Sequence, residues 1–263
     1  MFQVMKSRLL QHLGRVKMRS KVLIFMVFVG CLCCGGQDRS YRKAYSDIPG
    51  GMPKGSTNVV FLVNEGYVAA YNEESKCPVW VVYCLKGSAG KAPKRPSGFK
   101  VDDRTESKVS QGDYTHTGYD RGHMAPNSAI GRYYGADAQR ETFLMSNVVP
   151  QKPNLNQRVW RELESREPGM AEKYGAVWVI TGPVFDRFKE VLPSGVEIPD
   201  WCYKVIVWES GGTNGVMAVM VPRDVAKDSK VEENMVSVDE IEKKTGLDFF
   251  SGLSDEVEEV LEK

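Results

Sequence analysis

A histidine, an asparagine and a glutamate lie in one stretch of the chain where their chemistries can be combined. His123 follows Asp120-Arg121-Gly122, and Asn156 and Glu164 come later in the same stretch. An imidazole with an ordinary pKa of about 6.5 can take a proton from water near neutral pH. Oxygen-bearing side chains are the ligands that a hard divalent cation prefers. These residue types predict a hydrolytic site assisted by one metal ion.

The spacing of the asparagine and the glutamate limits how they share that ion. Apolar residues recur at helical spacing at Leu155, Val159 and Leu163. They predict a helix over residues 154–166, which Pro168-Gly169 would stop. Eight residues of helix rise about 12 Å, so one ion cannot be bound directly by both Asn156 and Glu164. Mg²⁺ keeps several waters, so we expect Asn156 as the direct ligand and Glu164 on a metal-bound water.

Basic residues are frequent around these three side chains. They are Lys94, Arg95, Arg121, Arg132, Arg140, Lys152, Arg158, Arg161 and Arg166. The planar guanidinium group matches the geometry of phosphate oxygens. Together with a base and a cation, such arginines predict a site that cleaves phosphodiester bonds.

Each of these residues also has an ordinary structural interpretation. His123 could be a histidine in a surface turn after Gly122, and Asn156 could simply start a helix. Glu164 and the arginines could form a solvated face. His116 has no comparable context, and we expect it in a loop.

The charge of the whole chain does not indicate a nucleic-acid binder. The formal net charge is +1, but the first 31 residues contain six basic residues and no acidic residue. Without these six, 29 of the 35 basic residues remain against 34 acidic residues, a net charge of about −5. Affinity for phosphate must therefore come from a local cluster, because a basic face is the usual feature of nucleic-acid binding.

The N-terminus has the composition of an export signal. A basic stretch precedes an apolar run over residues 22–34, which is too short to cross a bilayer at about 20 residues. Gly30-Cys31 resembles the end of a bacterial lipobox, which would attach a lipid anchor to Cys31. A periplasmic or outer-membrane lipoprotein, a cleaved secreted protein, and a retained anchor or cytosolic protein all stay open.

The remaining sequence predicts one catalytic domain. We divide the chain into a signal at residues 1–34, a linker at 35–48, a domain at 49–253 and an acidic tail at 254–263. In an exported protein, one disulfide among Cys77, Cys84 and Cys202 is expected, which leaves one thiol free.

The periodicity of the domain favours an α+β fold. Strands are predicted at 59–63, 67–72, 79–85, 143–145, 176–182, 203–208 and 216–221, a helix start at 237–242, and a long loop at 86–118. Asn64-Glu65-Gly66 joins the first two strands as a hairpin. Together these elements predict a central, mostly antiparallel sheet flanked by helices.

Several ordered motifs resemble the DNA/RNA non-specific endonuclease family. They are Asp120-Arg121-Gly122-His123-Met124-Ala125-Pro126, Ser146-Asn147-Val148-Val149-Pro150-Gln151, Leu155-Asn156 through Glu164, Trp80-Val81-Val82-Tyr83, Gly182-Pro183-Val184-Phe185 and Thr245-Gly246-Leu247-Asp248-Phe249-Phe250. The resemblance covers roughly residues 49–253. It implies the ββα-metal (His-Me finger) fold, an endonuclease activity on DNA and RNA, and 5′-phosphate products, and it is compatible with a homodimer.

The resemblance also implies a role for each site residue. His123 would be the general base, and Asn156 would be the one direct ligand of Mg²⁺, with Mn²⁺ or another divalent ion as an alternative. Glu164 would hold a metal-bound water, and Arg95 would support the phosphate. Asp120 and Arg121 would shape the turn and steady the site. Arg121, Arg158 and Arg166 are further candidates for substrate binding.

One departure from the family leaves two other functions open. The family places an arginine three or four residues after the glutamate, where this chain has Glu167 and Pro168. The chain could therefore be a non-catalytic surface lipoprotein that keeps the fold for binding a partner. It could also be a phosphodiesterase for smaller or modified substrates.

Overall fold

The computed structural model describes residues 48–185, 188–210 and 213–262. The predicted export signal and Cys31 lie outside the described residues, as does the predicted linker except for its last residue. Among the described residues, no helix is long and apolar enough to cross a membrane.

A seven-stranded antiparallel sheet forms the centre of the fold. Its strands are β1 Val59–Val63, β2 Val68–Asn72, β3 Cys77–Lys86, β6 Ala176–Val184, β7 Trp201–Ser210, β8 Thr213–Pro222 and β9 Met235–Val236, which neighbour one another in that order. Side chains alternate between two cores, so that Val81 and Tyr83 pack on one face and Trp80 and Val82 on the other. Since both faces are covered, the central strands are mostly apolar, and the predicted α+β class is confirmed.

A second, two-stranded sheet carries the histidine. β4 Asp120–His123 pairs antiparallel with β5 Val148–Gln151. The prediction of a turn at this motif was wrong. Gly122 is needed there for close approach, because a Cβ atom at this position would lie 2.1 Å from Oε1 of Gln151.

Helices cover the sheets. They are α1 Asn127–Tyr134, α2 Ala136–Glu141, α3 Arg161–Tyr174, α4 Val238–Thr245 and α5 Asp255–Glu262, together with a π-helical segment Leu155–Trp160 and short 3₁₀ turns at Gln111–Tyr114, Met145–Asn147 and Val231–Asn234. The π-helical segment runs directly into α3, and we call residues 155–174 the site helix. β4, β5 and the site helix together form a ββα unit.

The site helix is longer than predicted. Pro168 lies inside it and Gly175, with φ of 84°, ends it. A proline removes one backbone hydrogen bond from a helix. The helix continues because Leu163, Glu167 and Ala171 are buried along one side of it, and tertiary packing supplies most of a helix's stability.

The strand predicted at residues 143–145 was also wrong. Only an isolated bridge joins Leu144 to Lys100, and a 3₁₀ turn follows. The side chain of Asn147 donates to the carbonyl oxygens of Ala125 and Thr142 and accepts from the amide of Ala125. Such local side-chain bonds compete with a strand ladder.

The expected disulfide does not form in the structure. No disulfide bond joins any two of Cys77, Cys84 and Cys202. The strand register explains this, because Cys77 lies opposite Asn72 and Cys84 lies opposite Trp178. Cys202 instead accepts a hydrogen bond from Nε2 of Gln151 at 3.3 Å.

Candidate active site

The imidazole of His123 is enclosed at the end of β4. Its ring lies 5.0 Å from the ring centroids of both Phe99 and Phe143. Its Nε2 atom is buried and has no hydrogen-bond partner among the described residues. The indole N–H of Trp160, on the site helix, donates to the carbonyl oxygen of His123 at 3.1 Å. Burying a nitrogen without a hydrogen-bond partner costs free energy. Such an atom is typical of a site that binds a group from outside the chain.

The surroundings keep this imidazole neutral. Burial, and then the positive charge of Arg95, lowers the pKa of His123 from 6.5 to about 3. The ring is therefore unprotonated and can accept a proton throughout the neutral range. A phosphate beside Arg95 would offset that positive charge and raise the pKa of His123 toward a value useful for a base.

Arg95 connects the histidine to the glutamate. The residue lies in the long loop before β4, with its Cζ atom 5.1 Å from the centroid of the Phe143 ring. Its charge lowers the pKa of His123 and also that of Glu164. The structure therefore places His123 and Glu164 within electrostatic reach of Arg95, whose side chain is exposed.

Asn156 is oriented by Asp120. Its Nδ2 donates to Oδ2 of Asp120 at 3.0 Å, and Nε2 of Gln157 donates to the same oxygen at 2.8 Å. The aspartate thereby takes up the amide nitrogen and leaves the Asn156 Oδ1 oxygen for a cation. The asparagine lies in the π-helical segment, a rare geometry that is frequent at functional sites.

Glu164 is a partly exposed carboxyl group on α3. Burial raises its pKa from 4.5 to about 7, against the nearby charges of Lys204 and Arg95, which lower it, and with Glu167, which raises it further. A carboxyl group in this state is ionised only in part at neutral pH, so a cation at the site would increase its charge.

Two predicted arginines have other roles in the structure. The guanidinium group of Arg121 donates to the carbonyl oxygen of Gln111 at 3.1 and 2.5 Å and to Oγ1 of Thr115 at 3.2 Å. It thus fixes the 3₁₀ turn before β4. Arg166 forms ion pairs with Glu162 at 2.5 Å and Glu232 at 2.8 Å. Both guanidinium groups are bound to other residues of the chain. The structure therefore does not support either arginine as a phosphate ligand.

Arg158 has the exposure that a substrate-binding residue needs. It lines a groove of about 560 Å³ beside the site helix, with a wall formed by residues 227–230. Arg161, Lys227 and Lys230 add positive charge to this groove, and Glu162 and Asp228 are its acidic residues. Within the described part of the chain, Arg158 and Arg161 form no ion pair.

Sequence reasoning missed the residues that enclose the site. Phe99 and Phe143 pack against the imidazole, and the positive charge of Lys204 acts on Glu164. The phenylalanines gave no distinct signal, because isolated aromatic residues are common in any core. Lys204 did give one, since it is a single lysine in the middle of an apolar strand with residues 201–203 before it and 205–207 after it.

The donor set at Asn156 fits a hydrated hard cation better than a cage of ligands. Among the described residues, the one cluster of three candidate ligands is Asp239, Glu242 and Glu262, on α4 and α5. It is separate from the site described above. One free carboxamide oxygen with a carboxyl group farther along the helix suits an ion that keeps most of its waters.

Comparisons of sequence and of structure find relatives that are nucleases. The sequence model of a family described as DNA/RNA non-specific endonuclease matches residues 49–256. The nuclease of Serratia marcescens is 30% identical over 220 residues, which are 79% of this chain and 81% of that protein. Human mitochondrial endonuclease G is 29% identical over 202 residues, 70% of this chain and 67% of that protein. A solved structure of the EndoG/EndoGI complex aligns with a TM-score of 0.69 at 28% identity, covering 78% of this chain and 90% of that one.

Proposed function

This chain belongs to the DNA/RNA non-specific endonuclease family and is an endonuclease, and from that premise we propose that His123 is its general base and Asn156 its metal ligand. The proposed reaction is hydrolysis of phosphodiester bonds in DNA and RNA, which leaves 5′-phosphate and 3′-hydroxyl ends. The observation that carries the proposal is the buried, unpartnered Nε2 atom of His123. A water molecule beside a scissile phosphate would supply the partner that this nitrogen lacks.

The protein's own groups account for activation of the water. Nε2 of His123 accepts the proton of the attacking water, because the ring is neutral before substrate arrives. The rings of Phe99 and Phe143 fix the imidazole in one orientation. Arg95 donates to phosphate oxygens at the exposed entrance and holds the diester in place.

A divalent cation, Mg²⁺ in our proposal, would be held by the Oδ1 oxygen of Asn156. When bound, such an ion neutralises charge on the phosphate and on the leaving 3′ oxygen. Asp120 keeps the Asn156 carboxamide in the required orientation through its 3.0 Å hydrogen bond. In its ionised form, which Arg95 favours, the Glu164 carboxylate would accept a hydrogen bond from a water of such an ion.

Arg158 is proposed to bind phosphates that flank the cleaved bond. It is exposed in the groove beside the site helix, and residues on the other wall provide Lys227 and Lys230. Contacts to the phosphate backbone carry no sequence information, so this assignment agrees with a non-specific enzyme.

Export is proposed from the N-terminal segment. The apolar run at residues 22–34 follows a basic stretch, and Cys31 would carry the lipid of an outer-membrane or periplasmic lipoprotein. The mass of the mature N-terminus distinguishes the three outcomes, because a diacylated Cys31, an unmodified cleaved end and an intact Met1 differ by hundreds of daltons or more.

An assay of the products tests the proposed reaction. The mature protein is incubated with plasmid DNA and with RNA, in Mg²⁺ and in EDTA, and the new ends are labelled by a kinase before and after phosphatase treatment. We expect cleavage of both substrates only with the cation, and ends that accept label only after phosphatase. Equal cleavage in EDTA, or ends that label without phosphatase, would contradict the proposal.

Asp120 gives a second test that needs no turnover. Removing its carboxylate in Asp120→Ala frees the Asn156 amide to rotate, and loss of such an outer contact lowers metal affinity by about 10- to 100-fold. Titration of Mn²⁺, followed by electron paramagnetic resonance, measures that affinity directly. Unchanged Mn²⁺ binding in both Asp120→Ala and Asn156→Ala would place the cation elsewhere.

A further inference from the structure

A closed set of three polar side chains lies beneath the site. Nζ of Lys204, on β7, is 2.5 Å from Oε1 of Glu167, on α3, and 3.0 Å from the hydroxyl of Tyr83, on β3. The Tyr83 hydroxyl donates to the other oxygen of Glu167 at 2.8 Å. The side chains of Lys204 and Glu167 are 0% exposed. The set therefore joins the site helix to two central strands with no access to water.

Stability alone is a poor reason for this arrangement. Taking two charges out of water is costly, and apolar side chains of the same volume are often at least as stable. A function for the ion pair is thus a better account of its presence than a contribution to folding.

Lys204 interacts with groups next to His123 and also with Glu164. Its Nζ lies 5.0 Å from the Trp160 ring, whose indole N–H donates to the carbonyl oxygen of His123. Its charge also acts on the carboxyl group of Glu164, one turn before Glu167 on the same helix. Lys204 is therefore in contact with the support of the base and within electrostatic reach of the glutamate.

We propose that Lys204 is a positioning residue for phosphodiester cleavage, which fixes the site helix and the indole of Trp160 and supplies a buried positive charge beneath Glu164. This inference rests on the proposed function.

The charges around Glu164 allow the effect of Lys204 on this carboxyl group to be measured separately from its effect on folding. Four groups face it from four elements: Lys204 from β7, Arg95 from the long loop, Glu167 from its own helix and the Tyr83 hydroxyl from β3. Loss of the lysine charge leaves Glu167 to disfavour the ionised form of Glu164. Loss of the Glu167 charge leaves the lysine to favour it. The two single losses are therefore expected to move the Glu164 titration in opposite directions.

The experiment compares Lys204→Met, Glu167→Gln and the double variant with wild type, and uses Lys243→Met, at an exposed lysine on α4, as the control. The titration of the Glu164 carboxyl is followed by ¹³C NMR in metal-free protein, and Mn²⁺ binding by electron paramagnetic resonance. We expect the Glu164 titration to move to higher pH in Lys204→Met and to lower pH in Glu167→Gln. We expect weaker Mn²⁺ binding in Lys204→Met, and no change in the control.

Kinetics complete the test. In Lys204→Met, kcat should fall by about 10-fold or more, since small misplacements of catalytic groups are costly, while KM stays within about twofold. If a single variant does not fold, the double variant decides, because it removes both charges together. Its Glu164 titration should also move to higher pH, since the lysine has the larger effect of the two.

Two outcomes would overturn the inference. One is a Glu164 titration that moves the same way in both single variants or stays at the wild-type pH in the double variant. The other is a folded Lys204→Met protein with wild-type kcat. Neither NMR nor Mn²⁺ binding requires turnover, so a wild-type protein that cleaves no nucleic acid would refute the proposed function without touching this measurement.

Discussion

At the scale of single residues, the site combines a base that resists protonation with an acid that resists ionisation. Burial produces both effects, because it disfavours the charged form of either group. His123 is held neutral and Glu164 is partly protonated at neutral pH. A phosphate beside His123 and a cation near Glu164 would oppose both shifts, and the shifts themselves make stability depend on pH. This has consequences that can be measured without any substrate.

Lowering the pH should destabilise the folded protein through His123. Its pKa of about 3 in the folded protein lies below its ordinary 6.5. Between these values the unfolded chain binds a proton that the folded protein does not, so stability falls as the pH is lowered through this window. The loss attributable to His123 is about 2–3 kcal/mol between pH 6.5 and 4.5. Urea unfolding of His123→Asn at pH 7 and 4.5 should lack that loss.

His116 provides the matched control, since it is exposed in a loop. His116→Asn should keep the wild-type dependence of stability on pH. If His123→Asn loses as much stability between pH 7 and 4.5 as wild type does, His123 is not the group that burial keeps neutral.

Raising the pH should destabilise the folded protein through Glu164, which is the opposite dependence. Its pKa is raised from 4.5 to about 7 on folding. The folded protein binds the extra proton between these values, so the stability from Glu164 is complete below pH 4.5 and is lost as the pH rises through 7. Because the side chain is partly exposed, Glu164→Gln should be more stable than wild type at pH 8 by roughly 1–3 kcal/mol.

Urea unfolding at pH 4.5 and 8 checks this, with cleavage of plasmid DNA measured in parallel. The variant should be inactive although it is more stable. Glu172→Gln, at an exposed position of the same helix, should change neither property. A Glu164→Gln protein that is equally stable or less stable than wild type at pH 8 would contradict the expectation.

At the scale of elements, the ββα unit depends on close packing between its two strands. Gly122 on β4 lies under the side chain of Gln151 on β5. Gln151 is itself held by its hydrogen bond to Cys202. We expect Gly122→Ala to lower the free energy of unfolding by about 1–3 kcal/mol through overpacking, and to reduce activity because His123 is the next residue.

Thermal unfolding tests that expectation with two companions. In Gly122→Ala/Gln151→Ala, the space is restored and much of the lost stability should return. Gly169→Ala serves as the control, since a Cβ atom there has nothing within 4 Å and alanine favours a helix. A Gly122→Ala protein that unfolds at the wild-type temperature would show that the strands do not require this close approach.

The same element shows how far the sequence could be interpreted. The stripe of Leu155, Val159 and Leu163 predicted the site helix, because helical periodicity is local. Its continuation past Pro168 was not predictable, since it depends on burial against the sheet. The residues Asp120–His123 predict a turn when taken alone, because the strand that pairs with them, β5, is distant in sequence. Types of chemistry were readable from the residues, whereas contacts across the chain were not.

The arginines illustrate the same limit. Sequence alone gave Arg121, Arg158 and Arg166 equal standing as phosphate ligands. The ion pairs of Arg166 and the backbone contacts of Arg121 depend on where Glu232 and Gln111 come to lie. No local pattern reports such distant partners.

At the scale of the whole molecule, a chain with almost no net positive charge acts on an acidic polymer. Without its first 31 residues the chain has a net charge of about −5, so we propose that binding depends on local groups such as Arg158. We expect Arg158→Ala to raise KM for long DNA and to reduce the slope of log affinity against log salt by about one. Hydrolysis of bis-p-nitrophenyl phosphate should be unchanged, because that substrate has no flanking phosphate.

Arg166→Ala is the matched control for that measurement. Its ion pairs are on the surface, where such pairs contribute about 0–1 kcal/mol, so its salt slope should equal that of wild type. Equal slopes for Arg158→Ala and wild type, or a smaller slope for Arg166→Ala, would reverse the assignment of these two residues.

The account as a whole depends on one imidazole, and its removal is the most direct test. Initial rates of plasmid and RNA cleavage in Mg²⁺ are compared for wild type, His123→Ala and His116→Ala at equal concentration of folded protein. We expect His116→Ala to cleave at the wild-type rate and His123→Ala to be slower by about 10²-fold or more, the usual contribution of a general base. A His123→Ala protein that cleaves either substrate as fast as wild type would contradict the account.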